Sequence, residues 1–270
     1  MGPFFVFQYE ELQDITGIPS ASPRTPLEFD EEVKNPQEGR GVKGPCAFNK
    51  LQAFHCIGNF PFDSLHDLLE KIIPCDAAAV LHGLISDGYF SLEQYNTMMA
   101  SVTLHGYEIS DKPLPVKSKC DKLPGKAFSV ALHMRLMPYI IWRLLGEPDD
   151  MDMDNELLKL MVILSKLNEY VSADVMSVLD VLQLEDLVVE FFSARKVCCE
   201  SYAFCRLTPK YHNLEHYFAT ILRHGPLNAY STARPEAKHQ VFKGFCESAK
   251  NFINITKTVA EKHQRLLASE

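Results

Sequence analysis

ELLKLMVILSKLNEY at residues 156–170 and ADVMSVLDVLQLEDLVVEFFSARKVCC at 173–199 decide how this chain folds. Leu and Val recur at three-to-four-residue spacing, the period of a helix with one apolar face. Outward from this pair the signals stay helical. Lys126 to Leu145 reads as a long apolar helix, with Pro138 as a kink and Gly146 as its end. Ser91 and Glu93 start a helix to about Val102, and Asp76 leads a short one to about Ser86. Asp63 or Ser64 caps a helix through about Ile73, with Ser64 and Asp67 spaced as a capping box and Pro74 as the stop. Residues 106–124 hold Gly106, Pro113, Pro115 and Pro124 and read as a loop. Pro209–Arg223 and Pro235–Phe252 each open on a proline suited to a first helical turn, and Ile255–Leu267 closes the series. Period-two alternation is weak, so the expected class is mostly α. Three regions follow: a proline-rich, extended or disordered lead-in over 1–45, a helical region over 46–206, and a basic helical region over 207–270.

The charge is segregated. The chain has 270 residues and a net charge of −8, against a protein that simply coats nucleic acid. Residues 147–190 carry twelve acids against Lys159 and Lys166, whereas 195–270 carry twelve bases, six acids and five of the ten histidines. The basic tail suits phosphates and the acidic block does not; two solvated helix faces explain the same pattern. No run of about eighteen apolar residues occurs, so no membrane partner is expected. The apolar start, Met1–Phe7, is too short for a signal peptide. Eight cysteines without paired spacing then read as reduced thiols of an intracellular protein.

Three constellations bear on chemistry. In Asp63-Ser64-Leu65-His66-Asp67-Leu68-Leu69-Glu70, the residues Asp63, His66, Asp67 and Glu70 share a helix face. They could hold a divalent ion or water, or form the wet side of an amphipathic helix. In His212-Asn213-Leu214-Glu215-His216, two histidines four apart could chelate a metal, with Cys199 and Cys205 upstream. The spacing departs from zinc fingers, and packing histidines explain it equally. In Arg234-Pro235-Glu236-Ala237-Lys238-His239, an acid sits among bases at a helix start. Glu236 alone cannot hold Mg²⁺, and Lys238 and Lys243 suit phosphates or a solvated face.

Taken in order, GVKGPCAFNKLQAFHCIGNFPFDSLHDLLEKIIPCD at 41–76, LTPKYHNLEHYFATILRHGPL at 207–227, RPEAKHQVFKGF at 234–245 and NFINITKTVAEKHQ at 251–264 resemble the C-terminal half of proteins derived from CACTA (En/Spm) DNA transposases. The resemblance implies an RNase H-like ancestry in which two Asp and one Glu gather around Mg²⁺, with a helical insertion before the Glu. It implies that Glu236 descends from the third acid. It also implies that Asp63 and His66 are an Asp-x-x-His signature near the active site, and that residues 76–206 are the insertion. The strands bearing the first two Asp would precede residue 41, where some forty proline-rich residues stand. Lys71, Ser231 and Pro235 depart from the family pattern.

The expectation is a transposase-derived relic or domesticated piece without a complete catalytic set. It would touch DNA or a partner protein through Lys210, Arg223, Arg234, Lys238 and Lys243, without a small-molecule cofactor, and be nuclear if DNA-binding. An active Mg²⁺-dependent recombinase with Asp30 and Asp63 as the other acids is one alternative. A helical scaffold with no nucleic-acid role is another.

Overall fold

The computed structural model describes residues 24–35, 42–146, 154–250 and 253–268, and no strand occurs among them. In chain order the helices are α1 (Pro26–Lys34), a short α2 (Cys56–Asn59), a π-helix (Leu65–Ile72) that runs on as α3 (Ile73–Ser86), and α4 (Leu92–Ser101). Then come α5 (Ala127–Leu145), α6 (Glu156–Ser172), α7 (Val178–Ser201), α8 (Pro209–Asn213), α9 (Tyr217–His224), α10 (Ala233–Ala249) and α11 (Ile255–Leu267). Two compact units result, one reaching to Tyr230 and one from Ser231. The acids Glu147, Asp149, Asp150 and Asp152 lie outside the described residues.

Local chemistry starts most of these helices. Ser91 and Ser177 accept from the backbone three residues on, and Gln94 and Asp180 answer, so α4 and α7 each open on a capping box. Asn155 takes both the Leu157 and Leu158 N–H groups, at 2.9 and 3.2 Å. At the centre of the first unit, α6 packs against α3, α5 and α7. That is why Leu157, Leu158, Leu160, Met161, Leu164, Leu167 and Val171 are all buried on a single helix. Three neighbours require an apolar surface wider than one stripe.

Four sequence expectations are corrected. The lead-in is not extended throughout, because Thr25-Pro26-Leu27-Glu28 closes a capping box and starts α1. Phe29 of that helix is buried with Val42 and Cys56. The remaining lead-in residues, 1–23 and 36–41, lie outside the described residues. Pro74 does not stop its helix. The Ile73 N–H reaches back to Leu68 O, five residues away, and Pro74 sits in the first turn of α3, where no N–H is needed. Ser64 makes no side-chain cap; Asp63 does so instead, accepting from the Leu65 N–H at 3.2 Å. Finally, the stretch expected as one helix from Pro209 to Arg223 lies in the unit that reaches to Tyr230. Tyr211, Leu214, Tyr217, Ile221 and Leu227 bury apolar surface in the first unit and hold 207–230 there. This stretch is also two helices joined by a 3₁₀ turn at Leu214–His216, not one.

The loop expected over 106–124 holds only a 3₁₀ turn at Gly106–Ile109. The Asn96 amide pins it by bonding both the N–H and the C=O of Val116 at 2.9 Å. In the second unit α10 and α11 form a helical hairpin. Lys262 Nζ donates to Ser248 Oγ at 2.6 Å and to Phe245 O at 3.3 Å, and the His263 ring stands edge-on to Phe242. None of the described residues of this unit is fully buried.

Candidate functional site

The π-helix carries its polar residues toward α8. Widening the helix by one residue per hydrogen-bonded turn separates neighbours that an α-helix would stack, and such insertions recur at functional sites. Asp67 is turned inward and is only 6% exposed. Asn213 Nδ2 donates to its Oδ2 at 2.9 Å, and Lys210 Nζ donates to the His66 carbonyl at 2.6 Å. Burial raises the Asp67 pKa to about 6, against the lowering pull of the Asn213 amide and the Lys210 charge. His66 stays half-buried between two carboxylates. Its Nδ1 is hydrogen-bonded to Asp63 Oδ2, and its Nε2 lies 3.7 Å from Glu70 Oε2. The face predicted from the sequence thus divides: Asp67 points inward, while Asp63 and Glu70 flank His66.

Beside this array, His212 and His216 meet through their Nε2 atoms at 2.9 Å, and Glu215 Oε2 lies 3.3 Å from His212 Nδ1. Phe62 stacks on His216 with ring centroids 5.3 Å apart. Burial lowers the His216 pKa, and His212 lowers it further. The two cysteines considered as partners are engaged elsewhere: Cys199 with Arg195 and Cys205 with Tyr211. Among the described residues no third ligand joins the two histidines.

A deeper layer lies under the π-helix. Asp76, fully buried in α3, accepts from Arg195 Nε of α7 at 2.8 Å and from the Tyr211 hydroxyl at 2.7 Å. Arg195 NH2 also donates to Cys205 O at 2.6 Å, and its guanidinium stacks on the Tyr211 and Phe204 rings. Burial pushes Asp76 up to about 6 against Arg195 and Tyr211. For Arg195, burial works against the charge, but Asp76 outweighs it and the pKa rises. At neutral pH the pair is ionised. Sequence reasoning missed this centre, because its members are 119 residues apart. The available signal is one acid inside the apolar run Ile72-Ile73-Pro74-Cys75-Asp76-Ala77-Ala78-Ala79-Val80.

The remaining predicted residues fall as follows. Asp30 lies 3.3 Å from His55 Nε2. Arg223 is exposed on α9, and its guanidinium occupies the space a Cβ on Gly58 would need, next to the His224 Nε2 bond to Gly58 O. Lys210 spends its ammonium on the His66 carbonyl. Glu236 stands exposed in the first turn of α10, with its N–H on Thr232 O at 2.9 Å. Lys243 is exposed on the same helix. The side chains of Arg234 and Lys238 lie outside the described residues.

Asp63 and Asp67 of the π-helix cluster do not fit a Mg²⁺ pair. Asp67 Oδ2 is answered by Asn213, Asp63 Oδ1 by the Leu65 N–H, and Asp63 Oδ2 by His66. Two-metal chemistry requires ionised oxygens open to the ions. A hollow of about 630 Å³ lies elsewhere, between α6 and α7. Glu169, Asp180, Asp186 and Glu190 line it against Lys166, so it is acidic. No protein-family model, no curated protein and no solved structure matches this chain.

Proposed function

We propose that this chain is a transposase-derived helical protein that binds DNA through its basic C-terminal region and carries no nuclease activity of its own. The RNase H-like ancestry rests on the ordered motifs at 41–76, 207–227, 234–245 and 251–264. What supports the loss of catalysis is that Asp63 and His66 bond to each other, Asp63 also takes the Leu65 N–H, and the neighbouring Asp67 faces inward. A carboxylate that is 6% exposed, bonded to Asn213 and raised to about 6 serves the packing between the π-helix and α8. The DNA reading is supported by the basic sequence of α10, where Arg234, Lys238 and Lys243 accompany Glu236. The acidic hollow between α6 and α7 would repel phosphates, so it disfavours DNA on that face.

The test is an incubation of the purified chain with duplex DNA over a salt series, with and without Mg²⁺ or Mn²⁺. Binding that weakens steeply with salt, and DNA left uncut, is the expected result. Mn²⁺-dependent nicking that disappears in Asp67→Asn or Glu236→Ala would make the chain a nuclease instead. No retention on DNA at low salt would favour a protein-binding scaffold.

A further inference from the structure

Around the buried Asp76–Arg195 pair stand two thiols that the proposed function leaves unused. Cys75 lies in the first turn of α3, and Cys205 lies on the connector between α7 and α8. Their thiols are close enough for each to shift the other's titration. Cations flank both sulfurs: Lys71 Nζ is 3.6 Å from Cys75 Sγ, and Arg195 NH2 is 3.9 Å from Cys205 Sγ. The Tyr211 hydroxyl lies 3.0 Å from Cys205 Sγ, and Asp76 Oδ1 lies 3.8 Å away. Cys75 is 6% exposed, whereas Cys205 is partly open to solvent.

These surroundings divide the roles. The Cys75 thiol lowers the Cys205 pKa, with the Tyr211 hydroxyl at 3.0 Å and the Lys71 and Arg195 charges assisting against burial. The same proximity, together with burial, pushes Cys75 up. Cys198 is pushed up to about 12 by burial, and burial raises Cys199 and Cys56 as well. A partly exposed thiolate beside cations, with a second thiol against it, is the microenvironment of a reactive cysteine and its resolving partner.

We propose that Cys205 and Cys75 form a reversible, peroxide-responsive disulfide, with Cys205 as the attacking thiolate and Cys75 as the resolving thiol. The Cys205 sulfur attacks one oxygen of hydrogen peroxide. An S–O bond forms, the O–O bond breaks, and hydroxide leaves, giving sulfenic acid once the bound oxygen keeps its proton. The Cys75 sulfur then attacks the Cys205 sulfur. An S–S bond forms, the S–O bond breaks, and the departing hydroxide takes the Cys75 proton and leaves as water. A small dithiol returns both residues to the reduced state by exchange. Closure ties the α7–α8 connector to α3, next to the ion pair that already joins α3 to α7. The inference is independent of the DNA-binding reading.

The test uses the full chain, reduced and then treated with hydrogen peroxide. Free thiols are alkylated, and the products are read by intact and peptide mass spectrometry. The wild type is expected to lose the mass of two hydrogens and to yield a cross-linked pair of peptides carrying Cys75 and Cys205. Cys75→Ser is expected to accumulate a dimedone-trappable sulfenic acid on Cys205, located by fragmentation because Cys198 and Cys199 share its tryptic peptide. Cys205→Ser is expected to lose no hydrogens at the same dose. Oxidation that starts at Cys199 or another cysteine, or wild-type protein without the cross-link, overturns the proposal. The wild-type readout needs no variant, so a substitution that fails to fold does not spare it.

Discussion

At the residue scale the first unit is organised around charges kept from water. Asp76 is fully buried, so removing its partner leaves an uncompensated carboxylate inside the protein. Arg195→Met is therefore expected to cost about 3–5 kcal/mol, read as a lowered midpoint in urea denaturation. Asp67 supplies a second residue-scale prediction. Its folded pKa is about 6, whereas the unfolded chain gives up this proton near the ordinary value of 3.8. The folded state therefore holds the proton over a window in which the unfolded state does not. Stability falls as pH rises from about 4 to about 6, by up to ~3 kcal/mol from this group. Asp67→Asn removes that slope. Buried His133, lowered to about 4, works in the opposite direction, since it resists the proton that the unfolded chain accepts below 6.5. The measurement is thus the difference between wild type and variant in denaturation midpoint across pH 4 to 7. A difference that does not change with pH would show that Asp67 is not held protonated. The sequence places Asp63, His66, Asp67 and Glu70 on one face, and their neighbourhood survives in the structure. The inward turn of Asp67 was not legible, because it depends on Asn213 and on a helix register that Pro74 does not announce.

At the scale of elements, hydrophobic period located the helices and local chemistry set their ends. Ser91 and the glycine after α5 mark boundaries that the sequence places, whereas α7 starts at Val178 behind Ser177 rather than at Ala173. The errors arose where one residue supports two readings. Proline ends a helix interior but also starts a helix, as Pro26 does, and Pro74 is accommodated where the π-helix runs on as α3. The crossing of α3 and α6 was not legible at all. Gly83 permits it: a Cβ there would meet Leu157 Cδ1 at 2.7 Å and Tyr202 Cδ1 at 3.1 Å. Leu157 is buried and cannot swing away into solvent. Gly83→Val is expected to lower stability by about 1–3 kcal/mol through overpacking, measured by thermal or urea unfolding. An unchanged midpoint would mean that the two helices part without penalty.

At the scale of the whole molecule, the mostly helical class was legible because the 3.6-residue period dominates the chain. The packing of 207–230 was not, because the sequence does not show that Tyr211, Leu214, Tyr217, Ile221 and Leu227 bury in the first unit. If the basic C-terminal region holds DNA without cutting it, affinity for duplex DNA must depend on salt through the bases of that region. The decisive experiment compares this salt dependence between the wild type and Arg234→Ala/Lys238→Ala/Lys243→Ala in the full chain. Every phosphate that a substituted side chain no longer neutralises should reduce the slope of log affinity against log salt by about 0.9, so the triple variant should fall by roughly 2–3. Contradiction would come from affinity indifferent to salt and to the three substitutions, or from Mn²⁺-dependent cleavage that Glu236→Ala abolishes.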